Sequence, residues 1–527
     1  MNELAQVDTS VSPPRIALPK AFNAAADLLE RNLLEGRGAN LAYADAQGRY
    51  TYAALAERVN RAGNALLALG LKPEQRLVLC LADGIDFPTL FLGAMKAGLV
   101  PVPVNAAMTP ADLGHVLADS RAPALAISDA FLPSMADTLR QRPHLRHVLV
   151  SGAAKPGEEG VSGLLAGAAD RLPPADTTAD DAAFWLYSSG STGQPKGVVH
   201  RHADMLHTAV LYGQAVLGLR ADDVVFSAAK LFFAYGLGNS LSLPLSVGAS
   251  AALLPERPTP DGIVRMFETH RPSVFCAVPT LYASLLADGR LQPGPATARL
   301  RLCVSAGEAL PEEIGRRWQA RFGVDILDGL GSTELLHIFL TNRPGDVRYG
   351  TSGRPVAGYR LKLLGEDSQP VPAGEIGDLW VSGPSSATCY WNNREKSQDT
   401  FVGAWTRTGD KYRQDGQGYY TYAGRSDDML KVGGIWVSPF EVESTLLAHD
   451  KVLEAAVVGH ADEARLIKPK AFVVLRPGVQ PTATLADELK GFVKGRLAPY
   501  KYPRWVEFVG DLPKTATGKI QRYKLRG

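Results

Sequence analysis

Cysteine is scarce and scattered. Cys80, Cys276, Cys303 and Cys389 are the 4 cysteines of a 527-residue chain. No two form a Cys-x-x-Cys pair and none stands with histidine at metal-ligand spacing, which excludes a disulfide scaffold and a zinc module. Cys80, Cys276 and Cys303 sit inside the apolar runs RLVLC, SVFCAV and LRLCV, so they are expected to be small buried hydrophobes in a protein of a reducing compartment. No charge sign is in excess: 56 Lys plus Arg face 54 Asp plus Glu, a net +2, which leaves no global basic field for nucleic acid or an anionic membrane. The N-terminus MNELAQVDTSVSPPRIALPK has early acids and prolines and lacks the apolar core of a signal peptide, so a cytoplasmic location is expected. The longest uncharged stretch, Leu231 to Pro255, contains Asn239, Ser240, Ser242, Ser246, Ser250 and Pro244. It therefore suits a protein core better than a bilayer. Neither G-x-x-x-x-G-K-[ST] nor a G-x-G-x-x-G opening a helix after a strand is present, so Walker-type and nicotinamide-dinucleotide readings are disfavoured. Internal repeats are also missing, as are long Pro- or Ser-rich linkers apart from an acidic and small-residue stretch near 153–181.

What remains is an ordinary globular composition, 46% hydrophobic and 21% charged, on a chain long enough for several domains. TYAALAERVNRAGNALLALG has helical apolar spacing with Gly70 at its end, and RLVLCL follows as a buried strand. DFPTLFLGAMKAG, VPVPV, PADLGHVLADS and PALAIS continue the alternation of helix and strand. RPSVFCAVP, LRLCVSAG and VDILDGLG add further strands. This rhythm predicts an α/β fold: a large N-terminal domain with doubly wound sheets, whose ligands sit beyond the carboxyl ends of the strands. Residues 345–425, with Gly and Asp-Gly turns between short aromatic and β-branched runs, predict an antiparallel β subdomain. The last hundred or so residues restart as a small α+β C-terminal domain, placing the division at 1–426 and 427–527.

The strongest local signal is YSSGSTGQPKGVVH, Tyr187 to His200, which follows the strand-like run AAFWL. Its glycines let backbone N–H groups converge, its hydroxyls add donors, and Lys196 adds a point charge: a cradle for polyphosphate. Four further segments follow in order: DGLGSTE (Asp328 to Glu334), TGD (Thr408 to Asp410), GRSDDMLKVGGIWVSP (Gly424 to Pro439) and PKTATGKIQR (Pro513 to Arg522). Together these resemble the signatures of the adenylate-forming superfamily of acyl-CoA synthetases, peptide-synthetase adenylation domains and luciferases. The resemblance spans nearly the whole chain.

The resemblance implies that a carboxylate attacks the α-phosphate of ATP, pyrophosphate leaves, and a thiol takes the acyl group, a reaction that depends on positioning and charge neutralisation. It implies ATP contacts from Ser189, Ser191, Thr192, Gly193, Lys196 and Thr333, with Glu334 holding Mg²⁺. The adenine is implied to rest on Ala306, Gly307 and Glu308 and on Asp328, Gly329 and Leu330, where leucine replaces the usual stacking aromatic. Asp410 and Arg425 are implied at the ribose, though as an isolated Asp and Arg they equally suit a structural pair. Lys519 is implied to reach the substrate carboxylate and the α-phosphate, making it catalytic with Thr333 and Glu334. Lys514 reads as an ordinary surface lysine. A mobile C-terminal domain is implied, hinged at Asp427, with Gly433 and Gly434 lining a pantetheine tunnel.

LFFAYGLGN and GSTELLHIFL resemble the corresponding segments of benzoate–CoA ligases in particular. Ala234, Tyr235, Gly236, His337 and Ile338, with Leu330, are therefore expected around a small flat acid, although such apolar residues also serve as plain core. The implied acceptor is coenzyme A; a stand-alone adenylating enzyme that loads a carrier protein is the alternative. A non-catalytic nucleotide-binding protein is disfavoured because Thr333, Glu334, Asp410 and Lys519 are all present. Among bacterial relatives the terminal lysine is acetylated, so a lysine acetyltransferase acting on Lys519 is an implied partner. The oligomeric state, a homodimer included, stays open.

Overall fold

Two parallel sheets carry the body, and apolar strands too hydrophobic for one-sided exposure explain why. The computed structural model describes residues 4–140, 143–189, 195–426, 428–432, 435–463, 465–514 and 520–526. One sheet runs in the order Val100–Pro103, Arg76–Cys80, Ala124–Ser128, His147–Ser151, Glu159–Gly160, all neighbours parallel. The other has nine strands. Its centre orders Ile326–Gly331, Leu302–Ser305, Val274–Ala277, Val224–Ser227, Ser250–Ala252 and Leu41–Ala44 in parallel, with antiparallel strands at both edges. Cys80, Cys276 and Cys303 are buried in these strands, as their apolar neighbours predict. Helix Tyr52–Ala68 starts where the Thr51 hydroxyl accepts the Ala54 N–H, and buries Leu55, Val59 and Leu66. The uncharged stretch from Leu231 is folded into the buried core, and no helix among the described residues is long and apolar enough to cross a membrane.

The phosphate-loop strand belongs to neither parallel sheet. Ala182–Ser189 pairs antiparallel with Pro195–Arg201, which in turn pairs with Cys389–Tyr390. The 345–425 segment is antiparallel as expected, in a sheet of Arg360–Leu364, Ile376–Ser382, Trp405–Gln414, Phe401–Val402 and Tyr420–Arg425. It also contains a helix that its pattern does not announce, Arg394–Thr400, started by the Asn393 side chain accepting the Lys396 N–H. Beyond it, Val452–Ala461, Ile467–Leu475 and Trp505–Phe508 form a three-stranded sheet packed by helices Pro439–Leu447 and Ala483–Lys494 around a separate apolar cluster.

Lys514 departs from the surface reading. Its ammonium pairs with Glu454 at 2.8 Å and Asp511 at 2.7 Å, and it bridges to Ile520 across the tail. A lysine that fastens one segment to the strand beneath it gains its partners from tertiary approach, which a tail's composition does not report.

Candidate active site

Strand Pro195–Arg201 delivers side chains in alternation, so Lys196, Val198 and His200 share one face. Lys196 Nζ lies 4.4 Å from the centre of the Tyr390 ring, and the Tyr390 hydroxyl donates to Glu334 Oε1 at 2.8 Å. Burial pulls the Lys196 ammonium below its ordinary value, and the Glu334 carboxylate works against that shift. Burial together with the adjacent Glu334 pushes the Tyr390 hydroxyl up, which keeps it a donor. Thr333 and Glu334 themselves stand in a short 3-10 turn, Thr333–Leu335, both half-buried. The cation, the phenol and the carboxylate thus form one chain at the root of the phosphate loop. Ser191, Thr192 and Gly193, with the side chain of Ser189, lie outside the described residues.

The second wall comes from the loop after Leu302–Ser305. Gly307 turns it at φ +93°, a conformation in which a side chain is strained. Ala306 is buried and Glu308 is half-buried. Asp328 is buried, its carboxylate accepting the Leu310 N–H at 3.2 Å and the Ser352 hydroxyl at 3.3 Å. Burial pushes that carboxyl well above the usual range. Its described bonds brace the loop that carries Glu308, with Gly329 and Leu330 following it in the strand. Across the site Asp410 and Arg425 are register partners in the antiparallel sheet, and the Arg425 guanidinium donates to Asp410 Oδ1 at 3.4 Å and to the Thr408 carbonyl at 3.3 Å. The structural-pair reading of these two is therefore present in the fold.

The tail reaches this wall. The Ile520 N–H donates to Glu308 Oε1 at 2.9 Å, so the residue next to Lys519 touches the loop expected at the adenine. Lys519 lies outside the described residues, as do Asp427, Gly433 and Gly434. Arg522 anchors the same tail by a two-pronged pair with Glu443, at 2.9 and 2.7 Å.

The residues expected around the acid, from the two segments, also meet. His337 is buried between Tyr212 and Tyr235, ring centres 5.2 and 5.9 Å away, and its Nε2 donates to the Tyr235 carbonyl at 3.4 Å. Its Nδ1 has no partner among the described residues. Burial depresses the imidazole to about 4, so the ring is neutral near pH 7. Tyr235 donates to the Val304 carbonyl at 3.1 Å, directing its ring along the strand ends. Ile338 is buried against Gly329. Ala234 and Leu330 are partly buried on the apolar clusters. At Gly236 a side chain would run into the Ala229 and Lys230 carbonyls, so glycine there is a packing requirement.

The AMP-binding enzyme family matches residues 30–391, and the AMP-binding enzyme C-terminal domain matches 441–519. The chain belongs to this family. It is 59% identical to the benzoate–CoA ligase of Thauera aromatica over all of both chains. A benzoate CoA ligase from Burkholderia xenovorans LB400 superposes with a TM-score of 0.90 at 53% identity, covering 96% of this chain and 100% of that one. An anthranilate CoA ligase in complex with anthranoyl-AMP superposes at 0.93 with 44% identity, covering 96% and 97%.

Two residues of this AMP-binding enzyme escaped the sequence reading. Tyr390 lies in an unremarkable aromatic run, and no spacing announces that it would bridge Lys196 to Glu334. His200 ends the phosphate-loop motif, and its even offset from Lys196 is the only signal that it faces the same way.

Proposed function

We propose that the chain is an AMP-forming acid–thiol ligase that adenylates benzoate or a close aryl acid with ATP and transfers the acyl group to coenzyme A. The observation that carries this is the placement of the Thr333–Glu334 turn: it adjoins the Lys196 strand on one side and, three residues on, supplies His337 to the apolar cluster of Tyr212, Tyr235 and Ile338 on the other. A carboxylate on a ring seated against Tyr235, His337, Ile338 and Leu330 then faces the phosphates. Lys196 and Thr333 hold the phosphates with Ser189, Ser191, Thr192 and Gly193. Ala306, Gly307, Glu308, Asp328 and Gly329 border the adenine, while Asp410 and Arg425 take the ribose. Glu334 fits Mg²⁺: it is a hard oxygen donor, half-buried beside the phosphate loop. When bound, the ion neutralises charge on the polyphosphate. Lys519 completes the site by stabilising the charge that develops between the two reacting anions.

We place the domain division at Asp427 and assign the second half-reaction to a rotated C-terminal domain, with pantetheine passing Gly433 and Gly434. The 59% identity to a benzoate–CoA ligase supports the substrate class, and the bulk of Tyr235 and Ile338 supports a short aryl acid over a long acyl chain. We assign the protein to the cytoplasm, where a lysine acetyltransferase acting on Lys519 would switch adenylation off.

The test measures AMP and thioester release with ATP, Mg²⁺, CoA and a panel of benzoate, 2-aminobenzoate, cinnamate, acetate and octanoate. Benzoyl-CoA formation that falls roughly 10²–10³-fold in Lys519→Ala is expected, the scale for removing one charge-stabilising group. Activity confined to octanoate would refute the pocket. Pyrophosphate release without CoA thioester would establish the carrier-loading alternative.

A further inference from the structure

The turn that presents Thr333 and Glu334 is strained. Leu336, which ends it, has φ +65° and ψ −45°, a region a branched side chain rarely occupies. Such a conformation persists only where the surroundings over-determine it. Here three consecutive carbonyls of the turn are each held by a distant part of the chain. The Leu335 carbonyl accepts from the Ser385 hydroxyl at 2.8 Å, and the Glu334 carbonyl accepts from the Ala387 N–H at 2.8 Å. The Thr333 carbonyl accepts from His200 Nε2 at 2.7 Å.

The His200 contact differs from the other two. The ring is fully buried and stacked on Phe184 at 5.3 Å, and its Nδ1 faces the buried Asp204 carboxylate at 3.1 Å. Asp204 is itself held by the Arg201 guanidinium at 2.8 Å. An acceptor at each ring nitrogen, a carboxylate at Nδ1 and a carbonyl at Nε2, fixes which way the imidazole points. His200 also shares a strand face with Lys196. One rigid strand thus carries the cation at the phosphate loop and the donor that grips the carboxylate's turn.

We infer that His200 is a positioning residue for adenylation: its Nε2–H fixes the distance between the phosphate-binding strand and the Thr333–Glu334 turn. The inference rests on Glu334 serving the Mg²⁺–ATP complex. Loss of the donor lets the strained turn relax, so Glu334 moves off register while the ring pocket keeps its walls.

The experiment compares His200→Leu, which keeps bulk without a donor, with His200→Gln, whose amide N–H can reach the same carbonyl. Benzoate-dependent pyrophosphate exchange is titrated with Mg²⁺ and with benzoate, and thermal unfolding reports integrity. His200→Leu is expected to raise the Mg²⁺ activation constant at least tenfold with the benzoate KM within threefold, and His200→Gln to recover most of that loss. Equal Mg²⁺ activation in His200→Leu and the unaltered protein would overturn the inference, as would a Gln variant no better than Leu. If His200→Leu does not fold, Asp204→Asn serves in its place, and an unchanged Mg²⁺ activation constant there overturns it equally. Glu334→Gln separates the two ideas: if it leaves Mg²⁺ activation intact, the underlying assignment of Glu334 has failed, whereas loss there with none in His200→Leu removes His200 alone.

Discussion

Replacing Gly238 by alanine tests the aryl pocket through a single methyl group. A Cβ at this position would lie 2.5 Å from His337 Nε2 and closer still to Cδ2. Ordinary carbon contacts need about 3.5–4.0 Å, so the two groups must separate by roughly 1 Å or more. Gly238 sits in the buried helical segment Gly238–Ser242, and Tyr212 and Tyr235 flank the ring. With a tyrosine on either side, the imidazole therefore has to leave its present position. Overpacking of this kind costs about 1–3 kcal/mol, and a misplacement of about 1 Å at a reacting group costs on the order of 10²-fold in rate. Gly238→Ala is expected to lower kcat/KM for benzoate by roughly 10–100-fold, with the KM for ATP changed less than threefold. The double variant Gly238→Ala/His337→Ala supplies the control. With the imidazole gone the methyl has room, so the added alanine should cost less than about 0.5 kcal/mol in that background, the size expected of independent sites. Steady-state kinetics over the four proteins measures this. Additive losses, or an unchanged benzoate KM in the single variant, would show that His337 is core packing and not pocket wall.

Acid should weaken the fold through two buried histidines. His202 Nδ1 accepts the Ala24 N–H at 3.1 Å, and burial depresses both His202 and His337 to about 4. Because each folded value lies below the unfolded one near 6.5, their stabilisation is full above that pH. It is lost progressively as pH falls toward 4, by up to about 3 kcal/mol each. Denaturant midpoints between pH 7 and 4.5 check this, and a flat profile refutes it. Burial pushes the thiols of Cys80 and Cys303 up to about 12 and that of Cys276 higher. A thiol reagent on the native protein should therefore label Cys389 at most, rising to four sites on unfolding. Glu443→Gln leaves the largely buried Arg522 guanidinium with only the longer pair to Asp428 at 3.9 Å among the ion pairs described, a loss of about 3 kcal/mol; a change below about 1 kcal/mol in urea denaturation would deny the tail anchor.

The α/β body, the antiparallel subdomain and the small C-terminal unit were legible because each rests on short-range rules. Period-two and period-3.6 patterns select strands and helices, and glycine at positions such as Gly307 answers a local backbone demand. The segments proposed for the site could be named from sequence for the same reason: the Ser/Gly-rich loop, the Gly-Ser-Thr-Glu turn and the lysine-bearing tail are each contiguous in the chain. Their mutual arrangement was not. His200 meets Thr333 across 133 positions, Tyr235 meets His337 across 102, and Glu308 meets Ile520 across 212. Tyr390 joins Lys196 to Glu334 only because its two-residue strand adds to the phosphate-loop hairpin. Local pattern specifies which face of an element is apolar, but not which strand lies beside which or in what register. Those choices are made by packing among all the elements at once. They alone brought Glu334 to Lys196 through Tyr390 and seated a neutral imidazole between two tyrosines.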